Sequence, residues 1–202
     1  MKNKNEEHLE LGEIVAAEYE YIAQTAEQAH EDRARISTFY LVSVGSLFGA
    51  IWGTSATTEL FTLLLFAILF LFLSIFSLLT IQQLVSLRLA WIESAKAMGQ
   101  IKEFLIQENS RLATAFRWTK DSIPGSYKPK SISYYLAIQV AMIGAITFGA
   151  MVIYVILAIT AGTNALAHEV YVSIPHLLLA MFGSVIFFIV QMTVYKKGLI
   201  NN

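Results

Sequence analysis

Residues 61–81 read FTLLLFAILFLFLSIFSLLTI, with no charged side chain among them. Lipid offers peptide groups no hydrogen-bond partner, so a run of this length crosses a bilayer as a helix that satisfies its own backbone. It passes without an obvious break into QQLVSLRLAWIESAKAMGQIKEFLIQENSRL, which has the pattern of an amphipathic helix in water. The chain is 56% hydrophobic and 14% charged, whereas a soluble domain carries about a quarter charged residues. The expected fold is an all-α integral membrane protein, with four transmembrane helices and a cytoplasmic antiparallel, coiled-coil-like stalk.

In order along the chain, residues 1–35 form an acidic amphipathic segment with nine Asp or Glu against four Lys or Arg. Leu11, Val15, Tyr19, Ile22, Ala26 and Ala29 recur at helical spacing and mark its apolar face. An acidic segment of this kind lacks the basic n-region of a cleavable signal, so the first span is expected to serve as the anchor. Residues 36–81 make a transmembrane hairpin of spans 36–52 and 60–81, with a turn from Gly53 and Thr57 or Thr58 as the next N-cap. Trp52 and Trp91 fall at or just beyond the two interfaces, where amphipathic rings settle. Residues 82–132 form the stalk and its linker, and residues 133–202 a second hairpin with spans 134–160 and 174–195. Pro175 suits the first turn of the last span.

The stalk seam alternates steps of three and four through Leu84, Leu87, Trp91, Ser94, Met98, Ile101, Leu105, Glu108, Leu112 and Ala115. The simplest partner is the N-terminal helix, running antiparallel, with Val15 near Leu105, Ile22 near Met98 and Ala26 near Trp91 or Ser94. One straight helix from Arg88 to Trp118 would carry the chain about 46 Å from the membrane. The linker of residues 119–131 returns at most about 45 Å when fully extended. A break is therefore expected, either at Gly99 or, preferably, at Glu108-Asn109-Ser110, where Asn109 or Ser110 can cap a new helix.

Lys and Arg are distributed on one side only: four precede the first span, eight lie between Arg88 and Lys130, and two follow the last span. The other two loops have none. The positive-inside rule then puts both termini and the stalk in the cytoplasm of a multi-pass inner (plasma) membrane protein.

Ionisable groups in a span are the usual functional flags, and no Asp, Glu, Lys or Arg falls in any of the four. This argues against a proton-coupled transporter, a voltage sensor or an intramembrane protease. Gln139 and Gln191 lie one to two turns inside the cytoplasmic interface, as an interhelical hydrogen bond or as the lining of an oligomeric pore. Gly45, Gly49 and Gly53 form a GxxxGxxxG ridge on the first span, and Ala137, Ala141, Ala145 and Gly149 a second ridge on the third. Such ridges bring helices close within or between subunits; the first is expected to pack on the third span, with the oligomer forming through spans three and four. Arg88, Lys96, Lys102 and Arg111 belong to a wet stalk face or to a docking surface for a cytosolic protein. His168, Glu169 and His176 match no metal-ligand spacing, and His8 and His30 have no nucleophile nearby. There is no cysteine, no Gly-rich phosphate loop and no nucleophile elbow. No enzyme activity, cofactor, metal or nucleic-acid partner is expected, the net charge being −1.

In layout, residues 15–118, with EYEYIAQTAEQAHEDRARISTFYLVSVGSLFGAIWG and LRLAWIESAKAMGQIKEFLIQ, resemble the SLATT-type membrane effectors of bacterial conflict systems. The second pair of spans departs from that two-span plan and is closer to the small four-span partners of some two-gene phage-defence systems. The resemblance implies an oligomeric membrane effector or sensor, in antiviral defence or stress, working with a cytosolic protein. A pore-type effector or channel is the leading expectation, and a scaffold whose stalk recruits a soluble protein is the alternative.

The charge asymmetry is testable. A periplasm-active reporter fused after Asn202 or within residues 122–130 is expected to stay silent, and one within residues 163–167 to work. Activity after Asn202 would overturn the four-span topology.

Overall fold

The computed structural model describes residues 4–52, 59–116, 122–163 and 172–201, with side chains of the first helix described from Leu11 to Ile51. The expected turn at Gly53, the caps Thr57 and Thr58, the Trp52 ring, Trp118, the His8 side chain, and His168 with Glu169 lie outside the described residues. Four long helices follow in order: α1 (Lys4–Trp52), α2 (Leu60–Glu108), α3 (Ile132–Thr163) and α4 (Ile174–Ile200). A short 3₁₀ helix, Ser110–Thr114, follows α2. All four are long and apolar enough to cross a membrane, which makes this a multi-pass membrane protein in outline. No helix break marks the passage from polar to apolar sequence at residues 35–36 or 81–82.

Local chemistry accounts for the helix ends. α2 stops at Glu108 because Asn109 turns extended (φ −143°) and its side chain accepts from the Arg111 N–H at 3.1 Å. The Asn thereby caps the 3₁₀ turn that redirects the chain. Lys130 takes a left-handed backbone (φ 64°), and the Tyr134 N–H donates to Ser131 Oγ at 3.3 Å to start α3. α4 begins after Ser173, whose N–H donates to His176 Nδ1 at 3.4 Å, with Pro175 in the first turn. Proline costs nothing there, since that turn's N–H groups have no helical acceptor.

α2 and α3 share the most extensive face; α1 on α2 and α4 on α3 pack over smaller faces of similar extent, and α1 barely meets α3. The buried face of α1 runs through Ile22, Ala26, Ala29, Arg33, Ser37, Tyr40 and Val44, one continuous stripe from polar to apolar sequence. Phe70 of α2 joins three helices, stacking on Tyr154 of α3 at 5.5 Å and meeting Phe48 of α1 at 5.4 Å. Buried serine and threonine hydroxyls find partners: Ser77 Oγ donates to the Ser74 carbonyl at 2.7 Å, and Ser74 and Thr147 share a bond at 3.2 Å across α2 and α3. Helical serines and threonines can turn to the carbonyl one turn back, so they are buried at little cost.

The polar halves of α1 and α2 continue side by side. Val15 and Leu105 line one groove between them, and Lys102 Nζ sits 5.8 Å from the Tyr19 ring centre. Ile22 is buried, whereas Trp91, Met98 and Leu105 are half-buried. Trp91 and Met98 also face Ile123 and Pro124 of the returning chain. Glu108 and Ala115, placed on the seam by spacing alone, stand exposed, the first as the last residue of α2 and the second beyond its end.

Candidate functional site

The small residues on α3 are consumed within the subunit. Ala137, Ala141 and Ala145 are buried. A Cβ on Gly149 would meet Ser184 Oγ and stand 3.5 Å from the Ala180 carbonyl oxygen, both on α4. The tightest approach is at Gly144, where a Cβ would fall 2.6 Å from Ser77 Cβ on α2 and 2.9 Å from Gln191 Nε2 on α4. Only hydrogen fits there, so this glycine is the point where three helices converge.

The α1 ridge behaves differently. Gly45 and Gly49 are exposed, and a Cβ on either would meet nothing within 4 Å. The expected packing of this ridge on the third span is therefore corrected: α1 turns Tyr40 and Val44 inward towards α2 and leaves its glycines outward. The α3 ridge is filled within the chain, by α2 and α4.

The two glutamines do not act together. Gln191 is fully buried and its Nε2 donates to the Ala141 carbonyl at 3.2 Å, while its Oε1 has no partner. Gln139 faces outward from α3. A bond across the α3–α4 interface exists, but from one glutamine to backbone and not between the pair.

Two arginines give the polar end of the bundle its electrostatic character. Arg33 is buried: its Nε donates to the Ala29 carbonyl at 3.2 Å, Nη1 to Ser133 Oγ at the start of α3, and Nη2 to His30 Nδ1 at 3.0 Å. The expectation that Arg88 lies on a wet face is also corrected, since it too is buried. Its Nε and Nη2 donate to the Ser126 and Gly125 carbonyls at 3.4 and 3.5 Å, and its guanidinium lies 4.9 Å over the Trp91 ring. Arg88 thus ties the returning chain to α2. No carboxylate pairs with either arginine among the described residues, and the nearest acid in sequence, Asp32, reaches Arg35 at 3.7 Å. Burial pulls both guanidinium pKa values down, and for Arg33 the charge of Arg88 adds to it. Both stay cationic, because a guanidinium starts too high to lose its proton.

Of the other basic residues placed on the extension, Lys96 and Arg111 are exposed, and Lys102 is half-buried against Tyr19 and Phe116, 5.8 Å from each ring. His176 is used in the α4 start and His30 beside Arg33, and no group of metal-ligating side chains lies together among the described residues. Spacing missed Arg33, Ser133 and Gly144; for the first, the available signal was its place on the helical stripe of Ala26, Ala29, Ser37 and Tyr40. No family model, curated protein or solved structure matches the chain.

The two glycine environments predict opposite outcomes. Gly144→Ala should lower stability by about 1–3 kcal/mol through overpacking, read as a melting point reduced by several degrees in mild detergent. Gly45→Ala should leave it unchanged. Equal losses in both would show that α1 packs on α3 after all.

Proposed function

We propose that the chain is a non-enzymatic, homo-oligomeric membrane protein acting as a pore-type effector or membrane sensor. In this reading both termini and the paired polar halves of α1 and α2 lie in the cytoplasm, the latter forming a coiled-coil-like stalk. The observation that carries the assembly is the outward face of α1, where Gly45, Ser46 and Gly49 are exposed with no intrachain neighbour over the glycines. In lipid, helices associate where small residues let backbones approach, since burial of apolar surface yields nothing there. The lipid-suited faces differ: on α4, Leu178, Phe182 and Ile189 are exposed. This strip of small residues, flanked by the exposed Val42 and Phe48, is suited to a second copy, and around a closed ring it would line the path between subunits.

The resemblance in layout to conflict-system effectors supports the same direction, a role in bacterial defence or stress. A scaffold that recruits a soluble protein is the second reading, favoured by large apolar side chains left exposed on the extension: Ile14 at 61% and Tyr21 at 66%.

Reconstitution separates the two. The full chain in potassium-loaded liposomes is expected to dissipate an imposed potential, and Gly49→Leu to abolish this while running as a smaller species. An intact oligomer that leaves the potential unchanged would favour the scaffold. A wild-type protein that runs as a monomer would end the assembly reading.

A further inference from the structure

From residue 122 to the C-terminus the only acidic residue is Glu169, against Lys128, Lys130, Lys196 and Lys197. All four lysines lie at the end of the bundle where α3 begins and α4 finishes. The two buried arginines, unpaired with any carboxylate among the described residues, are at the same end. Between α3 and α4 this end opens into a groove of about 520 Å³. Its upper rim carries Lys196 and Lys197, both exposed, with Lys196 Nζ 5.9 Å from the Tyr127 ring centre. The Tyr127 and Tyr134 rings meet edge to face at 6.3 Å to form one wall. Below them the lining turns apolar, through Ile138, Phe188 and Met192. From Phe188 to Lys197 the groove follows α4 for about 13 Å, so its base lies within the apolar length of the helix.

We infer that this groove binds one anionic phospholipid, its phosphate between Lys196 and Lys197 and an acyl chain along Ile138, Phe188 and Met192. The match is one of charge and depth: cations and tyrosines stand at one end of the groove, and a largely apolar lining continues beneath them. Tyrosine rings and lysines are the side chains that settle at this level of a bilayer. Basic pockets between membrane helices select anionic headgroups because each cation adds attraction that a zwitterionic lipid largely cancels. The inference requires only that the helices span a bilayer, and it is independent of whether the assembly conducts.

Native mass spectrometry of the full chain in detergent provides the test, with phosphatidylglycerol and phosphatidylcholine as probes. Wild-type protein is expected to keep one phosphatidylglycerol through delipidation, and phosphatidylcholine far less. Lys196→Ala with Lys197→Ala should weaken that adduct by roughly tenfold or more. Lys96→Ala with Arg111→Ala, which removes equal charge from the extension, should change it less than twofold. Thr193→Trp, which keeps the charges and fills the groove, should also expel the lipid. Equal retention of the two lipids would overturn the inference. So would equal loss in the two charge-removal variants, or displacement by millimolar inorganic phosphate, which would mark a free-anion site.

Discussion

A bilayer removes the force that usually holds helices together, so this bundle depends on how closely α3 can approach its neighbours. At Gly144 the backbone of α3 lies against Ser77 of α2 and Gln191 of α4, with no room for a methyl group. Close contact there lets Gln191 reach the Ala141 carbonyl and lets Ser74 meet Thr147. Each such bond between membrane helices is worth about 0.6–2 kcal/mol. They are modest individually, and they exist only because the backbones are already near. α1 lacks that intimacy with α3, resting instead on α2 through Tyr40 and Val44, and so keeps its own small-residue face free.

The same arrangement explains the polar end. Arg33 reaches from α1 to Ser133 at the start of α3, and Arg88 from α2 to the carbonyls of Gly125 and Ser126. These two side chains fasten the linker and the helix starts where the core gives out. Each guanidinium is held by carbonyls, a hydroxyl, an imidazole or a ring face and, among the described residues, by no carboxylate, so positive charge is gathered there. Burial of a charge is costly unless its hydrogen bonds are made, and the planar fork of arginine makes several at once.

Much of this was legible in the residues. Four apolar runs mark four helices, and Asn109 marks the end of α2, because capping and hydropathy are local properties. The partners of the small residues were not legible. GxxxGxxxG at 45–53 and the Ala–Gly ridge of α3 look alike in one dimension, yet one faces outward and the other is enclosed. Gly144, the tightest contact, stands outside both repeats. Arg88 reads as one of many surface cations until the loop at Gly125 folds over it, a contact across 37 residues that no periodicity encodes. Gln139 and Gln191 likewise differ only in which face their helix turns inward.

The chain contains no cysteine, so introduced pairs report on packing without background. An ideal Cβ on Gly149 lies 3.7 Å from Ser184 Cβ, and one on Gly198 lies 3.6 Å from Val85 Cβ. Both separations suit a disulfide. Gly149→Cys with Ser184→Cys, and Val85→Cys with Gly198→Cys, should each close a bond within one chain under mild oxidation in membranes. Gly45→Cys with Ala145→Cys should close none within a chain. The reverse pattern, with the Gly45 and Ala145 positions joined inside one subunit and the other pairs open, would contradict the enclosed α3 and the free face of α1.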